Sequence, residues 1–171
     1  MVFVENTEND ALNWHGICNF DIPKEVMAML VGARVDDRLL HGQVLVKWVG
    51  REVCSRIVVV DERARSDPLL KSLMRAALPR DIRLDICGIS EGAVLLKAKH
   101  MEKERVFALF RTVETLHAAI QAGAEIRRVN LARPPQAQEK AFVRDFLARG
   151  IRVSVQMVPD SPLVLIGKED L

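Results

Sequence analysis

From Met27 onward, short apolar runs alternate with longer segments in which apolar residues recur at helical spacing. The runs cover residues 26–33, 57–60, 82–87, 106–110, 129–131 and 151–157, each too short for a stable helix of its own. Between them the helices show their ends. Asp67 and Pro68 supply an N-cap and a first-turn proline, and Leu70, Leu73, Met74, Ala77 and Leu78 form one apolar face that Pro79 terminates. Thr112 can cap a helix whose Val113, Leu116 and Ile120 face inward and which Gly123 closes. Phe142, Phe146 and Leu147 mark a further buried face, closed by Gly150, and Ser90 is placed to cap a weaker segment reaching His100.

Strand and helix alternating in this way predict an α/β fold. The expected form is an open, doubly wound, mainly parallel sheet of six or seven strands with helices on both faces. A closed eightfold barrel needs about 250 residues, and this chain has 171. In open sheets of this kind, ligands sit beyond the carboxyl ends of the strands, so the loops there are where chemistry is sought. Residues 1–26 fall outside the pattern: they are acidic, rich in asparagine and carry only scattered large apolar groups at Trp14, Ile17 and Phe20. They read as an N-terminal arm, flexible or loosely docked, preceding one α/β domain over 27–171.

The loop after the first run concentrates Arg34, Asp36, Asp37, Arg38 and His41 within eight residues, followed by Gly42 and Gln43. Beyond it, Val44, Leu45, Trp48 and Val49 share one helical face, which places His41 at or just before a helix N-terminus. Free amides and the positive end of the helix dipole favour an anion there, and Gly42 lets the backbone approach it. Arginine offers phosphate a planar fork, and a neutral imidazole is a good nucleophile near neutral pH. Asp36 or Asp37 could fix the imidazole tautomer or hold the arginines. Three readings of this loop stay open on chemistry alone: a phosphate or anion site, a salt-bridged structural turn, and a metal site built from Asp36, Asp37 and His41.

Residues 34–44 resemble the active-site motif of the mannose/fructose/sorbose family of phosphotransferase system IIB components, with a looser likeness over 55–75 and 146–160. The resemblance implies a protein-N(pi)-phosphohistidine–sugar phosphotransferase. His41 would take phosphate from a IIA component and pass it to a sugar presented by the membrane components IIC and IID. Arg34 and Arg38 match the family's two active-site arginines. It also implies first and fourth strands side by side, which makes Arg111 and Thr112 neighbours of His41. No cofactor or metal is implied, and a homo-oligomer stays open. After the fifth strand the family's double glycine is replaced by Arg133, Pro134 and Pro135. That departure raises a second reading, a regulatory IIB-like domain phosphorylated on His41 without a transport role.

The remaining residues change this picture little. A net charge of +2 gives no case for nucleic acid. Three widely spaced cysteines lack metal-ligand spacing, and the absence of a long apolar run agrees with a cytoplasmic protein, peripheral at the inner membrane through IIC and IID. Cys54, Cys87 and Trp48 read as core residues, and His117 as a surface or helix-packing group. Asp61 and Glu62 end the second strand on the same rim as His41 and could contribute to the site, but they read more readily as solvated charges at a helix approach, and Lys97, Lys99, His100, Lys103 and Arg105 read as a solvated linker.

Overall fold

The computed structural model of the protein describes residues 29–38, 48, 54–97, 100 and 104–171. The expectations for the N-terminal arm, for His41, Gly42 and Gln43, and for Lys99 and Lys103 lie outside the described residues.

Seven strands form one sheet: β1 Met29–Val35, β2 Arg56–Val60, β3 Arg83–Cys87, β4 Arg105–Phe110, β5 Arg128–Leu131, β6 Arg152–Val155 and β7 Val164–Leu165. Their order is β3-β2-β4-β1-β5-β6-β7. Every pairing is parallel except that of β6 with β7. The α/β architecture is as the alternation predicts, and β1 and β4 lie side by side. Parallel strands need crossovers, which five described helices provide: α1 Glu62–Ser66, α2 Pro68–Ala76, α3 Ile89–Leu95, α4 Val113–Gln121 and α5 Lys140–Ala148.

Strand alternation sends side chains to two cores. Val35, Val58, Val60, Phe110, Leu131 and Val153 meet α3, α4 and α5 through residues such as Ala93, Leu116 and Phe146. Val31, Ile57, Val59, Phe107 and Leu109 meet α1 and α2 through Ala64 and Met74, together with Trp48. Both faces are therefore covered, and burying them is what makes these short, isolated helices stable.

The helix ends follow their local chemistry. Asp67 accepts from the Leu70 amide at 3.0 Å and Thr112 from Thr115 at 3.1 Å, as their cap positions require. Gly123 and Gly150 lie at φ 100° and 75°, the left-handed region that closes α4 and α5. Ser90 is a correction. Gly88 occupies the N-cap of α3 without a side-chain bond, Ser90 lies inside the helix, and the exposed Ile89 amide is satisfied by Glu62 Oε1 at 3.2 Å. The apolar face of α2 is narrower than its spacing suggests. Met74 and Leu78 are buried, whereas Leu73 is 56% exposed beside Leu69 at 69%. His117 packs between helices, its ring 4.8 Å from that of Phe142 and its Nε2 3.1 Å from Asp145 Oδ2.

Candidate functional site

The apolar run predicts a first strand ending at residue 33, but β1 continues through Arg34 and Val35. Arg34 is consequently a strand residue, a correction to its placement in the following loop. Its register partners are Leu109 on β4 and Asn130 on β5, and Asn130 in turn lies beside Ser154 on β6. Neighbours in a parallel ladder point to the same face. Thus Arg34, Asn130 and Ser154 form a polar row on the face that carries Trp48, where the adjoining half of the sheet presents Ile57, Val59, Phe107 and Leu109.

Arg34 is fully buried. A buried guanidinium needs a counter-charge and a partner for each donor. Nε and Nη2 donate to Asp36 Oδ2 at 3.3 and 2.8 Å. Nη1 donates to Asn130 Oδ1 and to the Gln156 carbonyl, the latter at 2.9 Å, and Nη2 also donates to the Met157 carbonyl at 3.0 Å. The guanidinium carbon lies 4.1 Å from the centre of the Trp48 ring, a cation–π contact on one face of the fork. Burial pulls Arg34 below its ordinary pKa, opposed by the Asp36 charge. The expectation that Arg34 itself grips an incoming phosphoryl group therefore meets a fork whose donors are already engaged.

Asp36 stands at the end of β1 with its carboxylate shielded from solvent. Its two oxygens serve both arginines. Oδ1 accepts from the backbone amide and Nε of Arg38 at 3.0 and 3.1 Å, and Oδ2 accepts from Arg38 Nη2 at 3.3 Å as well as from Arg34. Burial pushes the carboxyl up, but the Arg38 hydrogen bonds and the Arg34 charge outweigh it and hold Asp36 below the usual carboxylate range. Of the two roles open to Asp36 in the sequence, the geometry is that of an arginine holder. A metal ion at Asp36 would have to displace two guanidinium groups. Among the described residues there is no group of three or more His, Cys, Asp or Glu side chains able to hold a metal.

Arg38, unlike Arg34, reaches solvent: its side chain is 41% exposed. One edge of its fork is fixed on Asp36, and Nη2 also lies 3.4 Å from the Met157 carbonyl. That leaves guanidinium surface at the carboxyl rim of the sheet for an anion from outside.

Beside this loop, a cleft opens between the ends of β1, β4 and β5, lined by Asp36, Asp37, Arg111, Arg133 and Glu139 over Val35 and Leu131. The Asp36 amide donates to the Phe110 carbonyl at 3.0 Å, which ties the β1 loop to the end of β4. Arg111 donates through Nε to Asp61, while its buried Nη2 has no partner among the described residues. Thr112 faces its own helix as a cap. Asp61 is a correction. It is 4% exposed, caps α1 through the Ala64 amide at 2.7 Å and pairs with Arg111, so it is no solvated charge. Burial pushes its carboxyl up, but the Arg111 hydrogen bond and charge together with the α1 amides outweigh this and lower it.

Four site residues escaped the sequence reading. Glu139 holds Arg133 in a bidentate pair at 2.7 and 2.9 Å, and Asn130, Gln156 and Met157 hold Arg34. Asn130 had a readable signal, a polar residue between two apolar ones in a strand run. Gln156 and Met157 had none, since they act through backbone carbonyls.

A family model described as PTS system sorbose subfamily IIB component matches residues 30–160. The fructose-specific EIIB component of Bacillus subtilis is 30% identical over 105 residues, 61% of this chain and 64% of that protein. The mannose-specific EIIAB component of Escherichia coli is 28% identical over 83% of this chain and half of its own length. The chain thus spans less than two thirds of either relative. Among solved structures, the IIB domain of the sorbose permease from Klebsiella pneumoniae superposes with a TM-score of 0.68 at 23% identity, covering 78% of this chain and 90% of that one. The N-acetylgalactosamine-specific IIB component 1 of Escherichia coli gives 0.68 at 24%, covering 79% and 97%. At these identities the structures speak for the fold.

Proposed function

The chain belongs to the sorbose subfamily of phosphotransferase system IIB components, and from that premise we propose that it carries a phosphoryl group on His41, taken from a IIA component and delivered to a sugar at the membrane IIC and IID components. The observation that supports this most directly is the Asp36 clamp, which holds Arg38 at the carboxyl rim of β1, three residues before His41. Phosphoryl transfer asks for positioning and charge stabilisation above all. The neutral imidazole attacks phosphorus as the donor's P–N bond breaks, so one phosphohistidine is exchanged for another with no metal needed. Arg38 meets the charge on the transferred oxygens. Arg34 contributes indirectly, by holding Asp36.

A second, regulatory reading draws on the loop after β5. There Pro134 and Pro135 remove backbone donors, and the Arg133–Glu139 pair fixes the turn beside Asp37. Such a domain would accept phosphate without handing it to a sugar. Among the described residues, no helix is long and apolar enough to cross a membrane, so on either reading a place at the inner membrane would come through IIC and IID.

The test is incubation with phosphoenolpyruvate, the general phosphotransferase proteins and a cognate IIA, followed by intact mass. An acid-labile phosphate on the unmodified chain that is absent from His41→Ala is the expected result. Equal labelling of the variant sinks the assignment. Discharge to a sugar in membranes containing IIC and IID then separates transport from regulation.

A further inference from the structure

Asn130 is 2% exposed and sits in the middle of β5, in a strand otherwise buried on both faces. A polar side chain in that position costs stability unless both ends of its amide are satisfied. Both are, in one orientation. Nδ2 donates to Ser154 Oγ at 3.1 Å, which leaves Oδ1 to accept from Arg34 Nη1. Ser154 Oγ lies 3.3 Å from the Val129 carbonyl, to which it donates its own proton, so its lone pairs are free for Asn130. The donors diverge from Arg34: on one side they run through Asn130 and Ser154 to the Val129 carbonyl, and on the other they reach Asp36, which accepts from Arg38 as well. Ser154 orients Asn130, Asn130 fixes the Nη1 end of Arg34, Arg34 braces Asp36 Oδ2, and Asp36 holds Arg38.

We infer that Asn130 is a positioning residue for the phosphoryl-handling loop, acting through Arg34 and Asp36 on Arg38; its kinetic consequence rests on the function proposed above, its structural consequence does not. The neutral amide matters. A carboxylate at 130 would compete with Asp36 for the same fork and add a second buried negative charge, whereas an amide fixes one end of the fork and leaves the charge pairing to Asp36. Without that amide, Nη1 retains only the Gln156 carbonyl, and the planar fork gains freedom to swing about Asp36. Asp36 in turn is the group that sets where Arg38 points. The row crosses three strands in register, so its geometry is set by the sheet and not by any loop.

The test has two arms. In the first, the Nε–H signal of Arg38 is followed by NMR in the unmodified chain and in Asn130→Ala. Its shift should move and its exchange with water should quicken about tenfold, the scale of one charge-assisted hydrogen bond loosened. In the second, transfer from phospho-IIA should slow about tenfold with the KM for the donor unchanged, while adding Asn130→Ala to Arg38→Ala should cost less than about twofold more. Where Asn130→Ala does not fold, Ser154→Ala, which frees the Asn130 amide, is read in the same way with a loss of about threefold. An unmoved Arg38 signal in a folded variant, or an equal loss of rate with and without Arg38, overturns the relay. Should the unmodified chain accept no phosphate at all, the function proposed above falls, and the NMR arm still decides the relay.

Discussion

Among the described residues two arginines are buried, one at each end of the same sheet, and only one of them leads anywhere. At the amino ends of the strands Arg56, 4% exposed, donates to Asp85 at 2.6 Å and to Glu104 at 2.7 Å, with Arg83 closing the cluster at 3.4 and 3.7 Å. At the carboxyl ends Arg34 pairs with Asp36 alone among the described carboxylates, and its remaining donors go to Asn130 and to the 156 and 157 carbonyls. The first cluster has two carboxylates at 23% and 30% exposure, so water shares the charges. In the second, both partners are at 0%, and the carboxylate is shared with an exposed arginine. The same pairing chemistry thus closes a surface at one end and aims a side chain at the other, and the parallel sheet decides which end faces the ligand.

The sharpest way to break this comparison is to remove Asp36. Asp36→Ala leaves the Arg34 guanidinium buried with its charge uncompensated, which should cost about 3–5 kcal/mol, read as a lower urea midpoint at unchanged slope. The pH dependence shares this origin. Because Asp36 titrates below its unfolded value in the native chain, its contribution is fully present above about pH 4 and is lost as pH falls through the lower native value. Asp36→Asn should flatten that part of the acid limb. An unaltered acid limb would show that the pairing is not what stabilises the loop.

Arg56→Met is the counterpart at the other end, and its effect should be smaller, about 1–2 kcal/mol. The substitution removes the buried charge itself and keeps an apolar stem, and Asp85 and Glu104 retain Arg83 and access to water. Phosphate acceptance should be unchanged once the protein is folded. A loss as large as that from Asp36→Ala would mean that the two clusters carry the fold equally and that the comparison is wrong.

The contrast also marks what could be read without coordinates. The caps at Asp67 and Thr112 and the closing glycines at 123 and 150 depend on neighbours within a few residues and stand where the sequence puts them, and each apolar run holds a strand, though β1 continues two residues past its run and β6 stops at Val155, two residues short of the end of its run. Loop 34–43 was visible as a concentration of chemistry. That Arg34 belongs to the strand and faces inward was not, because what receives it, Asn130 and the carbonyls at 156 and 157, lies about a hundred residues away and meets it only through sheet register. Asp61 misled for the same reason: its partner Arg111 arrives from just beyond the end of β4.

The smallest effect on folding, and the one that best separates holding from handling, is expected at Arg38. Its side chain is 41% exposed, and replacing it with lysine keeps a cation beside Asp36, so stability should change by no more than about 0.5 kcal/mol. Handling differs. Arginine binds Asp36 along one edge and has donors on the other for phosphate oxygens, whereas an ammonium is a compact point charge that must choose between them. Arg38→Lys should therefore slow phosphoryl acceptance from phospho-IIA about tenfold or more while leaving the urea midpoint in place. Acceptance at the unmodified rate would reduce Arg38 to a surface cation, and the loop at the end of β1 would then be no different in kind from the cluster around Arg56.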